Sequence, residues 1–190
     1  MKGKSTGKTI VSMILIGAVL IGAYFVLNLD EGKEAEENKT NTEAQLLLQK
    51  DYDRNYPATV REVVNQYGRI TQCLYNEEMS SEEFDGLVEM LRQLYDAELL
   101  EENPMPSYKE SLKKEIVTAK ENKYYMLRYQ VQKLSSVKYE GEFASIIICI
   151  TMNNDGKIEK SYEEFLLRED EKEHWKIVGW RLTNAVDMSD

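Results

Sequence analysis

The sequence predicts an α+β fold, with an N-terminal transmembrane helix followed by three helices packed on a bent antiparallel sheet of about four strands. Three observations predict it. Residues 10–29 carry no charged side chain. Three Ser/Thr and Glu pairs at capping-box spacing stand before helix-period apolar stretches between residues 59 and 119. Beyond Asn122 the apolar period falls to two, the period of strands.

The first element is set by length. As an α-helix, residues 10–29 rise about 30 Å, the thickness of a bilayer's hydrocarbon core. The run is longer than the apolar core of a cleaved signal peptide, and no small-x-small cleavage site follows it, so an uncleaved signal anchor is expected. Lys2, Lys4 and Lys8 precede it, whereas Asp30 and Glu31 follow. The positive-inside rule then leaves residues 1–9 as a cytoplasmic basic tail and carries the rest of the chain across the membrane. The expected location is the cell membrane, single-pass, with the C-terminal domain extracytoplasmic and the bilayer as first partner.

Charge narrows the other partners. All 34 acidic residues lie after Leu29, against 21 of the 24 basic ones once the three leading lysines are set aside, a net of −13. So acidic a surface excludes nucleic acid as a partner. Residues 30–42, DEGKEAEENKTNT, have no aliphatic side chain beyond Ala35 and cannot offset their ordering entropy by burial. An acidic stalk is therefore expected over 30–55, with a short helix possible around Leu46, Leu47 and Leu48, a folded domain over 56–184, and a tail over 185–190. Cys73 and Cys149 are too few for a disulfide framework, and Cys149 falls within an apolar strand, which favours free thiols over a single bridge.

The capping pairs are Thr59 with Glu62, Ser80 with Glu83, and Ser107 with Glu110. The first helix then aligns Val60, Val63, Val64, Tyr67, Ile70 and Leu74 on one face. The second aligns Phe84, Leu87, Val88, Leu91, Leu94 and Tyr95, and the third Tyr108, Leu112, Ile116 and Ala119. Among the strands, Tyr125, Leu127, Tyr129 and Val131 alternate with Tyr124, Met126, Arg128 and Gln130 and are expected to form the apolar face. Residues 143–152 are apolar on both faces, as a central strand would be. Asn153, Asn154, Asp155 and Gly156 turn the chain back into 158–168, and a charged loop leads to the last strand, 175–182.

Three helices followed by long strands and closing in EEFLLREDEKEHWKIVGWRL resemble the cone-shaped fold of nuclear transport factor two, the ketosteroid isomerases and the polyketide cyclases. The ending Trp175, Lys176, Ile177 and Trp180 is frequent in that superfamily. More narrowly, NYPATVREVVNQYGRITQCLYNEEMS, RQLYDAELLEENP and the final hairpin resemble an uncharacterised family of small membrane-anchored proteins of Gram-positive anaerobes. That narrower resemblance implies location and fold only, while the resemblance to the cone superfamily implies homodimerisation through the sheet. The chain departs from the cone fold in one respect, since no early strand is evident between the second and third helices.

The cone superfamily includes enzymes and pure binding modules, so residues must decide. An isomerase-like mechanism needs a carboxylate base and acidic donors converging in an apolar pocket. The ligand-binding candidates are Tyr67, Tyr95, Asp96, Arg128 and Trp180. The plainer account makes the tyrosines core residues, leaves Asp96 solvated, and pairs Arg128 and Arg168 with cross-strand glutamates such as Glu163. No carboxylate is expected on the strand faces beneath the helices, so no catalytic residue is assigned. His174, the one histidine, lies in a charged loop, and the acidic corner of Glu77, Glu78, Glu82 and Glu83 lacks calcium-loop spacing, so no metal or cofactor is assigned either. The expected function is a non-catalytic envelope module that binds a protein or small ligand. The alternatives are an enzyme of isomerase or cyclase type and a structural subunit of an envelope assembly.

Overall fold

A computed structural model of the chain describes residues 41–188. The tail expected at 1–9, the span at 10–29, the first part of the stalk at 30–40 and the last two residues lie outside the described residues. Among the described residues no helix is long and apolar enough to cross a membrane.

The described chain is α+β, with five helices and a five-stranded antiparallel sheet: α1 Glu43–Leu48, α2 Val60–Asn76, α3 Ser81–Gln93, α4 Ala97–Glu102, α5 Met105–Glu121, β1 Tyr124–Val131, β2 Lys138–Glu140, β3 Phe143–Asn154, β4 Lys157–Glu169 and β5 Trp175–Leu182. The strand order is β1-β3-β4-β5, with the short β2 also paired to β3. The expected three helices and four strands are thus joined by α1, α4 and β2. The core also reaches back beyond the expected start at residue 56, because Ala44, Leu47 and Tyr52 are buried in it.

Two of the three expected capping boxes form. Thr59 Oγ1 accepts from the Glu62 amide at 3.2 Å and Ser80 Oγ from the Glu83 amide at 3.1 Å, while both glutamates reach back to the cap amides. The third does not. α5 starts at Met105, with Pro106 in its first turn where a missing N–H leaves no orphan donor, so Ser107 lies already inside the helix and donates to the Pro104 carbonyl at 3.1 Å. The box not foreseen is at α1, where Thr42 and Gln45 cap each other.

β3 is central and buries Ala144, Ile146, Ile148, Ile150 and Met152 beneath the helices. Its other face is partly covered, with Cys149 buried and Ile147 half-buried. The amide of Thr183 donates to the Tyr162 carbonyl on β4 at 2.9 Å, and Gln130 Nε2 on β1 donates to the Met188 carbonyl at 2.8 Å. Residues 183–188 therefore cross the sheet's outer face above β3, where Cys149 is buried. Cys73 lies on α2, and both thiols are free.

Two bulges alter the expected alternation. On β1, Met126 pairs with Met152 but Arg128 pairs with Thr151, leaving Leu127 as an extra residue. Met126, Tyr129 and Val131 consequently share the inner face, whereas Tyr125 and Leu127, expected inside, are 41% and 42% exposed. On β5, Leu166 pairs with Gly179 and Leu167 with Ile177, leaving Val178 as the extra residue. Ile177 and Trp180 thereby both face the helices.

The second helix approaches β1 closely at one point. A Cβ on Gly68 would lie 2.1 Å from Tyr129 Cδ1. Alanine normally favours a helix over glycine by about 1 kcal/mol, but overpacking a buried contact costs about 1–3 kcal/mol. Gly68→Ala is expected to destabilise the protein by about 1 kcal/mol net in urea denaturation. A stabilised variant would show that the α2–β1 contact is looser than described.

Candidate functional site

Between the helices and the inner face of the sheet lies a cavity of about 70 Å³. α2 supplies Tyr67, Thr71, Leu74 and Tyr75; the end of α3 and the segment after it supply Leu91 and Tyr95; α5 supplies Tyr108, Ser111, Leu112 and Glu115; the sheet supplies Ile150, Glu163 and Trp180. Ser111 is exposed and Leu112 and Glu115 are half-buried, so α5 forms the rim. Glu163 is buried, 7% exposed, against the sheet.

The aromatic side chains form a continuous wall. Tyr67 meets Phe165 edge-on at 5.1 Å between ring centres and Trp180 at 5.4 Å, while Phe165 and Trp180 stack at 5.3 Å. Tyr95 packs against Tyr108 at 6.1 Å, and their hydroxyls share a hydrogen bond of 2.9 Å. The bulge at Val178 is what aims Trp180 into this wall. Without that extra residue, Trp180 and Ile177 would face opposite ways.

Glu163 overturns the expectation that no carboxylate lies beneath the helices. It shares strand parity with Phe165 and Leu167, all three buried on the inner face. No hydrogen-bond donor or basic side chain among the described residues meets its carboxyl group. Burial alone raises its pKa from 4.5 to about 7. Glu115 at the rim is raised as well, through desolvation, although it accepts a hydrogen bond from the Tyr75 hydroxyl. Burial pushes the phenols of Tyr67, Tyr95 and Tyr129 well above their ordinary range, so they stay neutral donors. Tyr129 Oη, near Glu163, is buried and has no hydrogen-bond partner among the described residues.

Of the five candidates from sequence, Tyr67, Tyr95 and Trp180 meet at this cavity. Asp96 and Arg128 do not. Asp96 is buried at 6% exposure rather than solvated, because its amide donates to the Ile177 carbonyl at 2.8 Å and the Ile177 amide donates to Leu94, drawing the chain alongside β5 as a one-residue parallel bridge. Its carboxylate caps α4 by accepting from the Glu98 amide at 3.0 Å. It also receives Arg168 in a two-pronged ion pair at 2.5 and 3.1 Å, which Glu98 joins at 3.1 Å. Arg168 is therefore committed to Asp96 and not to Glu163, and those hydrogen bonds hold its guanidinium pKa above the ordinary value. Arg128, beside the β1 bulge, is exposed.

His174 stacks on Tyr56 at 4.2 Å between ring centres, and Lys176 Nζ lies 4.1 Å from the same ring. Among the described residues, no group of three or more His, Cys, Asp or Glu side chains is placed to hold a metal ion.

An α+β domain with a buried acid and an aromatic wall beneath its helices defines the class of protein, and sequence comparison supplies the family. A family described as a domain of unknown function, DUF6715, matches residues 1–180, and the chain belongs to it. No curated protein matches the chain. Among solved structures, a de novo designed β-sheet protein determined by solution NMR is similar at 12% identity and a TM-score of 0.35, over 68% of this chain and 92% of that one. That likeness is too slight to bear on fold or function.

The unpartnered acid has a measurable consequence. An acid whose folded pKa lies above its unfolded one is bound to more protons in the native state, so stability declines as pH rises from 4.5 and the loss is complete above about 7. A shift of this size corresponds to ~3 kcal/mol. Glu163→Gln is expected to lack this decline. Chemical denaturation of wild type and variant at pH 5 and pH 8 reads the difference; parallel pH dependences would mean that Glu163 is solvated or paired.

Proposed function

We propose that the protein is a membrane-anchored, extracytoplasmic binding module that takes a small ligand into the cavity beneath its helices. The observation that carries this reading is Glu163, a buried acid without a partner lining a cavity that reaches solvent past Ser111. A carboxyl group desolvated for packing alone would be a stability loss with no return, whereas a ligand that pairs with it recovers that loss on binding. Residues 10–29 are the anchor in this proposal, and the domain is a small member of the cone-like class with the one-residue bridge at Tyr95 in place of the early strand.

One observation favours a second reading as an isomerase-like or cyclase-like enzyme. The acid and the neutral tyrosine hydroxyls sit in one apolar pocket, the base-and-donor set such chemistry needs, with Glu163 rather than Asp96 as the base. The volume of about 70 Å³ favours binding over the turnover of a large substrate. A structural subunit docked through the sheet is less well supported, since residues 183–188 cross the outer face.

A thermal-shift screen of small metabolites against the purified full chain and Ser111→Trp, which narrows the rim at an exposed position, tests the binding reading. Compounds are expected to raise the wild-type Tm and leave the variant unmoved. If none does, the cavity is not a binding site; if one is converted, and conversion stops in Glu163→Gln, the protein is the enzyme of the second reading.

Topology is tested separately. A membrane-impermeant maleimide is expected to label Lys133→Cys and not Lys4→Cys in intact cells. Labelling in the reverse pattern would place the domain in the cytoplasm.

A further inference from the structure

The chemistry of the cavity wall restricts what it can hold. Tyr67, Tyr95, Tyr108 and Trp180 turn aromatic surface toward it, and its two ionisable acids are Glu163 within and Glu115 at the rim. None of its lining residues is basic. The guanidinium of Arg92, 5.2 Å from the Tyr108 ring centre, does not line the cavity and donates to the Asn103 carbonyl at 2.6 Å. An anionic ligand would meet a carboxylate and no counter-charge. A cation would meet aromatic side chains and an acid with no other partner, the two components that aromatic cages use for alkylammonium groups.

We infer that this cavity binds a small alkylammonium head group, with Glu163 as its counter-charge and the surrounding rings as its cage. The inference rests on the binding reading above and specifies its ligand class. Size agrees with it. A cavity of about 70 Å³ accommodates on the order of five water-sized groups, enough for a methylated ammonium and too little for a larger molecule's whole body. The exposed rim at Ser111 leaves room for such a head group to carry a longer tail outward.

Proton and cation compete for Glu163, which gives the site a pH signature. The other titratable groups around it are Tyr67 and Tyr75 from α2, Tyr95 beyond α3, Tyr108 and Glu115 from α5, and Tyr129 from β1. The phenols are neutral throughout the physiological range because burial raises them all. Glu115 is the one other acid lining the cavity, its pKa raised by desolvation, and its ionised form also favours a cation. Affinity for a cation should therefore rise by about tenfold between pH 6 and pH 8, as the buried acid ionises near pH 7.

The test is calorimetric titration of the full chain, held in a non-ionic detergent without choline groups, with trimethylammonium chloride. Neutral tert-butanol of similar size and sodium acetate serve as comparison probes. Trimethylammonium is expected to bind at least tenfold more tightly than either, to bind about tenfold more tightly at pH 8 than at pH 6, and to be lost on Ser111→Trp. Glu163→Gln is expected to weaken it at least tenfold and to flatten the pH profile, and Glu115→Gln to leave most of that profile in place. If tert-butanol or acetate binds as well as trimethylammonium and is lost on Ser111→Trp, the cavity is a binding site but the cation inference is overturned. If no probe binds, the inference fails and the thermal-shift screen alone carries the broader reading. Should Glu163→Gln fail to fold, the wild-type pH profile decides, since an affinity that is flat or falls with pH contradicts a carboxylate counter-charge.

Discussion

The structure depends on burying both faces of β3. A strand with Ile146, Ile148 and Ile150 on one side and Ile147 and Cys149 on the other cannot stand at a wet surface, because each large side chain left exposed forfeits about 2 kcal/mol of burial. The helices cover one side. Residues 183–188 cross the other, held at Tyr162 and Gln130, where Cys149 is buried and Ile147 half-buried. The long antiparallel pairings of β3 with β1 and β4 follow from that central position, and they give the helices a continuous apolar floor.

On that floor, bulges decide which side chains face the cavity. An extra residue in one strand exchanges inside for outside for everything beyond it. At Leu127 the exchange releases Tyr125 to the surface and keeps Tyr129 inside, where its ring meets α2 at Gly68 and leaves no room for a Cβ there. At Val178 it brings Trp180 and Ile177 to the same side. The ion pair of Asp96 and Arg168 then locks the segment after α3 to the sheet beside Ile177, fixing Tyr95 over the cavity. Structural and site-forming residues are thus neighbours: Asp96 holds the frame, and Tyr95 next to it faces the cavity.

Much of the frame was legible from local pattern. Thr59 with Glu62 and Ser80 with Glu83 mark helix starts because a capping box is closed within four residues and needs nothing distant. Ser107 with Glu110 misled because Pro106 could begin the helix earlier. The short α4 had a readable signal, Asp96 ahead of AELLEE, although the same side chain also reads as a solvated residue or a ligand-binding candidate. Tyr67 and Tyr95 were identifiable because helical periodicity assigns them to buried faces, whereas Trp180 alternates with Ile177 in the sequence and reaches the same side only through the bulge at Val178. Glu163 had only its parity with Phe165 and Leu167 to betray it, and an acid on an apolar parity is ordinarily read as the error in the pattern.

The sequence by itself determined the identity and order of the principal helices and strands, the centrality of β3, and the charge-free stretch before the acidic one. Each of these is a property of residues close together in the chain. The tertiary structure alone decided the two bulges, the partner of Asp96, and the isolation of Glu163. A bulge exists only against a partner strand's register, and an ion pair between residues 72 apart requires both to be brought to one place. A carboxyl group's desolvation is set by the helices folded over it, so no local pattern could reveal that Glu163 is the acid left without a partner.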